Sequence, residues 1–147
     1  MTHKTQLGFE IRTVHNLIKR EVAKTKPPEL DSSTGVHGWV IHYFYENRTK
    51  DIFQKDFEER FSIRRSTATN MLNLMETNGL IIREKVDYDA RLKKITLTQK
   101  AIEIHNQIEK NIELIENKIS AGISDEEYLS FISTLQKIKA NLEVDHD

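Results

Sequence analysis

Residues 64–78 constrain this chain more than any other stretch. Their apolar members Ala68, Met71, Leu72 and Met75 are separated by three, one and three positions, which marks one buried stripe on a helix and cannot be laid along a strand. The other sides carry Arg64, Arg65, Ser66, Thr67, Thr69, Asn70 and Asn73. These are mostly short hydrogen-bonding side chains, able to reach a partner without long flexible stems. Gly79 follows as a residue that tolerates the left-handed conformation in which helices end. A helix over residues 64–78, buried on one side and densely polar on the others, is the expectation.

Its neighbours complete a motif. Residues 54–60 predict a short helix burying Phe57, and Phe61, Ser62 and Ile63 make a turn into the polar helix. After Gly79, residues 80–86 begin with Leu80, Ile81 and Ile82 and then alternate charged and apolar side chains to Val86. Residues 94–98 alternate again, with Ile95 and Leu97 on one face, as strands do. Residues 87–93 form the expected tip of a hairpin, with Arg91 at its apex. Asp51, Ile52 and Phe53 are expected to add a minor strand. A helix-turn-helix followed by a hairpin is suited to DNA, the second helix reading base edges in the major groove and a basic tip entering the minor groove. Arg83, Lys85, Lys93 and Lys94 are expected at phosphates or simply in solvent.

Long amphipathic helices flank the motif. Residues 5–24 place Leu7, Ile11, Val14, Leu17, Ile18 and Val22 on one side, before a break at Pro27 and Pro28 and a loop from Asp31 to Gly35. Residues 36–46 predict a second helix, with Trp39, Val40, Tyr43 and Phe44 along one side. Thr98 can cap a helix over residues 99–121, whose Ile108, Ile112, Ile115 and Ile119 form a seam for another helix. Ser124 with Glu127 is a capping box that opens a last helix carrying Tyr128, Phe131, Ile132, Leu135, Ile138 and Leu142. The acidic end beyond Glu143 is expected to fray. The fold class expected is mainly α with a small β-wing, a winged helix-turn-helix between N- and C-terminal helices. Stripes of this extent exceed what a small winged domain covers, which points to a partner surface.

In this order the residues resemble the MarR family of winged helix-turn-helix regulators. The resemblance is carried by Gln54-Lys55-Asp56-Phe57, Arg65-Ser66-Thr67, Asn78-Gly79-Leu80-Ile81, and Asp89-x-Arg91 followed by Leu97-Thr98. It implies a single domain over residues 1–147, with residues 36–98 as its DNA-binding part and residues 1–26 and 99–147 as dimerisation helices. It implies a homodimer on double-stranded DNA, a repressor on a pseudo-palindromic operator. Arg64, Arg65, Ser66, Thr67, Thr69, Asn70, Asn73, Arg91 and Lys93 would meet the DNA, and Asp89 would orient the wing. One departure is Arg64, which stands where the family places a capping Ser, Asp or Asn. The resemblance also suggests a pocket for a small aromatic or phenolic effector, lined by His15, Trp39, His42 and Tyr43 with Phe9 and Val14. Read without it, aromatics at helical spacing are core.

Charge and composition sharpen these expectations. The net charge is −1, yet residues 48–98 carry 11 cations against 8 anions and residues 99–147 carry 5 against 10. Basic charge is therefore concentrated where the motif is, as phosphate contact requires. The chain has no cysteine, which excludes disulfides, thiolate nucleophiles and cysteine-ligated metal. Among its six histidines there is no H-x-x-x-H pair. His15, His42 and His105 fall on three predicted helices, and no metal site and no cofactor are expected. No paired-carboxylate motif, Gly-rich phosphate loop or Ser-His-Asp signature suggests an enzyme. Residues 1–6 are polar and no long apolar run comes after them, so the expected location is the cytoplasm, with no membrane span. The competing reading is a winged-helix protein-interaction module without sequence-specific DNA binding. Loss of DNA binding should strip cations from the helix and wing, whereas Arg64, Arg65 and Arg91 remain.

Overall fold

A computed structural model describes residues 5–25 and 38–143. The expected break at Pro27 and Pro28, the loop from Asp31 to Gly35, the start of the second helix at Val36 and the acidic end beyond Glu143 lie outside the described residues. Among the described residues, six helices and one two-stranded sheet run in the order α1 (Leu7–Thr25), α2 (Gly38–Glu46), α3 (Gln54–Phe61), α4 (Arg65–Thr77), β1 (Ile81–Val86), β2 (Asp89–Leu97), α5 (Gln99–Ser120) and α6 (Asp125–Glu143). No described helix is long and apolar enough to cross a membrane. The chain forms two compact units, residues 1–113 and residues 114–147.

The first unit is built around the predicted stripe. Ala68, Leu72 and Met75 of α4 are fully buried, joined by Phe57 of α3, by Val40, Ile41 and Phe44 of α2, and by Leu80, Ile81 and Ile95 beside or within the hairpin. Ala101, Ile104 and Ile108 of α5 complete this core. Helix α2 approaches α5 so closely at Gly38 that a Cβ there would meet Ile108 Cδ1 at 3.1 Å. The predicted seam is therefore divided. Ile108 and the half-buried Ile112 belong to the core of the first unit, and only Ile119 is exposed.

Helix ends follow local chemistry. The α4 helix stops because Gly79 adopts φ 71°, while the Leu80 N–H bonds the Met75 carbonyl at 2.8 Å, the six-to-one bond of a glycine-terminated helix. Thr98 then ties the end of β2 to this corner. Its hydroxyl donates to the Gly79 carbonyl at 2.6 Å and accepts from the Ala101 N–H at 3.2 Å, capping α5. The motif around Asn78 and Leu97 is thus a polar joint between helix, hairpin and next helix.

Two expectations about strands need correction. Asp51–Phe53 does not form a strand; the Ile52 carbonyl accepts one bond from the Ile95 N–H at 2.7 Å, and pairing goes no further. The second strand begins at Asp89 and not at Lys94, leaving Asp87 and Tyr88 as the whole turn. Lys85 pairs with Lys93 but Val86 pairs with Asp89, so Ala90, Arg91 and Leu92 bulge from β2. A bulge breaks the two-residue alternation by which a strand is recognised and turns side chains off the sheet normal.

In the second unit, Ser124 caps the start of α6. The Glu127 N–H donates to Ser124 Oγ at 3.1 Å. No residue of α6 is buried.

Candidate nucleic-acid interface

The turn between α3 and α4 is closed by Ser62, which adopts φ 50° and is the only non-glycine with positive φ among the described residues. From there the chain passes through Ile63, half-buried against the core, to Arg64. Arg64 occupies the N-cap position in an extended conformation and makes no side-chain capping bond. The first turn of α4 consequently has backbone N–H groups that no side-chain cap of Arg64 covers, together with the positive end of the helix dipole. Such an end binds anions. Arg64, Arg65, Ser66, Thr67, Asn70 and Asn73 are all exposed there.

Thr69 is half-buried, because Gln54 at the start of α3 donates from Nε2 to Thr69 Oγ1 at 2.9 Å. Asn73 is bonded too: its Oδ1 accepts from Arg83 Nη2 at 2.7 Å. Arg83 also grips the Glu76 carboxylate, through Nε at 3.1 Å and Nη2 at 3.0 Å. The Arg83 bond holds the Glu76 carboxyl below its ordinary range, and Glu76 raises Arg83 in return. Arg83, expected at phosphates or in solvent, is instead a strut between β1 and α4. Sequence reading missed this pair because residues seven and ten apart, on different elements, show no local pattern.

On the hairpin, Asp89 receives the Arg91 backbone N–H at 2.9 Å, Nε at 3.2 Å and Nη2 at 3.1 Å. These bonds hold the Asp89 carboxyl below its usual range, the Arg91 side chain contributing most. Arg91 therefore stands at the bulge rather than at the apex, with its side chain 89% exposed. The apex is folded back, since Tyr88 donates to Asp51 Oδ2 at 3.0 Å. Between α4 and the wing lies a groove of about 490 Å³, whose lining includes Arg65, Thr69, Arg83, Arg91 and Lys93. Among its charged lining residues only Glu58 is acidic.

A second cavity, of about 410 Å³, opens on α1 and α2. Its lining includes His15, Lys19, Trp39, Phe57, Phe61 and Met71. Of the six predicted pocket residues His15 and Trp39 are there, whereas Phe9 and Val14 are exposed and outside its lining. Tyr43 instead packs edge-on against Phe61, with ring centres 5.5 Å apart. His42 turns to α5, where its Nδ1 lies 3.1 Å from Nε2 of the fully buried His105. Tyr45 stacks on His105 at 3.8 Å. The period of α2 does not separate these residues, since positions 39, 42 and 43 share one face; their partners do, His105 of α5 meeting His42 and Phe61 of α3 meeting Tyr43. No group of three or more metal-ligating side chains forms among the described residues.

This geometry matches known proteins. The MarR family model matches residues 34–92. The transcription regulator MarR from Oenococcus oeni PSU-1 superposes with a TM-score of 0.76 at 25% identity, covering 92% of this chain and 99% of that one. Residues 34–92 are similar to the MarR family. Its fold is that of MarR-family transcription regulators, with α3 and α4 as the helix-turn-helix and β1 and β2 as the wing. Two more distant structures share the fold over nearly the whole chain. MepR of S. aureus, in a complex with DNA, has a TM-score of 0.79 at 20% identity, covering 94% of this chain and 99% of that one. PcaV of Streptomyces coelicolor, in complex with its natural ligand, has a TM-score of 0.76 at 17% identity, covering 95% and 98%.

Proposed function

We propose that this protein is a sequence-specific DNA-binding transcription regulator, a repressor that acts as a homodimer on a pseudo-palindromic operator. The observation that carries the reading is the exposed, side-chain-uncapped start of α4 beside a cationic groove shared with the wing. Arg64, Arg65, Ser66, Thr67 and Asn70 would enter the major groove, where Asn70 pairs with adenine and the first turn meets phosphate. Arg91 and Lys93 would reach the neighbouring backbone or minor groove, with Asp89 holding Arg91 in place. Residues 36–98 would serve as the DNA-binding part. Residues 1–26 and 99–147 would join two copies; the exposed apolar side chains of α1 and α6 support that role.

Two reading helices related by a two-fold axis need half-sites about 10 base pairs apart. The cavity at His15 and Trp39 would take a small aromatic or phenolic effector that releases DNA, and the mixture of apolar walls with His15 and Lys19 supports this. No catalysis is proposed, and the cytoplasm is the proposed location.

The test is selection of bound duplexes from random DNA, then anisotropy titration over a range of salt. An enriched two-fold-symmetric site with steep salt dependence is expected. Binding that is equal on all sequences would overturn the reading.

A further inference from the structure

Thr69 and Asn73 stand one turn apart on α4, and each meets a side chain from another element. Arg83 bonds the Asn73 amide oxygen while it grips Glu76. A guanidinium has donors and no acceptor, so the amide must turn its oxygen to Arg83. Its two N–H groups are thereby left for a partner outside the chain. Thr69 is built in the same way. Gln54 Nε2 lies 3.4 Å from the Arg65 carbonyl and 2.9 Å from Thr69 Oγ1. A carbonyl only accepts, so this end of Gln54 is its amide nitrogen, and the Thr69 oxygen receives a proton from it. Thr69 keeps its own hydroxyl hydrogen to give.

We propose that Gln54 and Arg83 are positioning residues that make the wing-facing side of α4 a strip of donors. Thr69 and Asn73 then select hydrogen-bond acceptors on DNA, guanine N7 and O6 or phosphate oxygens, and do not pair with the 6-amino group of adenine. This rests on the DNA-binding reading above. A bidentate adenine contact needs the amide oxygen and nitrogen side by side on the base, and that oxygen already accepts from Arg83 at 2.7 Å, so an adenine amino group would have to compete with a cation for it. The same groove is lined by Arg65, Arg91 and Lys93, which also donate only.

The experiment begins with the site enriched from random DNA by the full chain. Failure to enrich any site overturns the DNA-binding reading itself, a result separate from any loss of the donor strip. On the enriched site each guanine is replaced in turn by 7-deazaguanine, each adenine by purine lacking the 6-amino group, and each phosphate by methylphosphonate. Affinities are compared for wild type, Asn73→Ala and Arg83→Lys, with thermal unfolding as the check on folding.

Wild type should lose about 10-fold at one 7-deazaguanine or methylphosphonate position, and Asn73→Ala should lose nothing further there. Loss at the base assigns the strip to guanine, and loss at the methylphosphonate assigns it to the backbone. Arg83→Lys keeps the charge, so its salt dependence should match wild type while the selective loss shrinks to about 2-fold. Thr69→Val and Gln54→Leu should likewise share one acceptor position.

Coupling of Asn73 to the adenine 6-amino group, or to no position, overturns the proposal. A uniform loss for Arg83→Lys, with the Asn73 coupling intact, overturns the positioning role of Arg83.

Discussion

Helices α4 and α6 carry apolar stripes of the same helical period, yet one is satisfied by its own chain and the other is not. On α4, Ala68, Leu72 and Met75 have no exposure at all. On α6, Tyr128, Phe131 and Leu142 are each more than half exposed, and no residue is buried. Helix α1 resembles α6, with Leu7, Phe9 and Leu17 open. A stripe therefore predicts burial without saying whose surface supplies it. Because α4 is anchored completely from behind, its polar side can be held rigid for recognition. The open stripe of α6 costs solubility unless something covers it, and a second copy is the simplest closed solution.

The comparison breaks most sharply at Leu72. Leu72→Ala should cost about 2–5 kcal/mol of unfolding free energy, through lost transfer energy and a residual cavity. Denaturant titration should give the same difference from wild type when protein concentration is raised. Leu142→Ala on α6 should give a smaller difference that changes with concentration, because it acts on association. Identical behaviour of the two variants would remove the distinction between the helices.

The next effect concerns assembly alone. Phe131→Glu places a charge on the open stripe and should halve the mass seen by light scattering at micromolar protein. Operator affinity should then fall roughly 100-fold, because the second half-site is no longer tied to the first. The seam residue Ile115 is a poorer probe, since it is buried within the chain. A dimer that survives Phe131→Glu would place the interface elsewhere.

These contrasts also explain what the sequence could convey. The stripe of α4, its glycine stop, the Thr98 cap and the Ser124 cap were legible because each is local and periodic. The start of β2 was hidden because the bulge at Ala90, Arg91 and Leu92 breaks alternation. Arg83 on Asn73 and Glu76, and His42 on His105, were not legible. Polar partners from separate elements leave no trace in spacing. The division of the α5 seam at Ile112 was equally hidden, because it depends on Gly38 admitting Ile108.

His105 offers a sharper look at a polar group inside the satisfied region. Burial pushes its imidazole below the ordinary histidine value, and His42 adds to this, while Glu109, Asn106 and Glu46 act the other way. The unfolded chain takes up a proton near pH 6.5 and the folded chain does so only at lower pH. Between those values the unfolded state binds more protons, so stability falls as pH drops below about 6.5. The slope from this residue is at most about 1.4 kcal/mol per pH unit. Unfolding of His105→Gln compared with wild type at neutral and mildly acid pH should show the slope reduced. An unchanged slope would assign the acid sensitivity to other groups.

The smallest effect separates stability from function within the recognition element itself. Arg64 holds the N-cap of α4 without a capping bond, and its positive charge sits at the positive end of the helix. A serine there accepts from a first-turn N–H, so Arg64→Ser should stabilise the protein by about 1 kcal/mol. The same change removes a cation from the turn proposed to face DNA, so affinity should drop and the slope of log affinity against log salt should shrink by about 1. Thermal unfolding and salt-dependent anisotropy on one preparation read both signs. A stabilised variant that binds with the wild-type salt slope would remove Arg64 from the interface. A variant no more stable than wild type would mean that other groups already satisfy the helix start. Opposite signs would show that this helix end sacrifices stability for phosphate, a conflict that α6, with its start already capped by Ser124, does not contain.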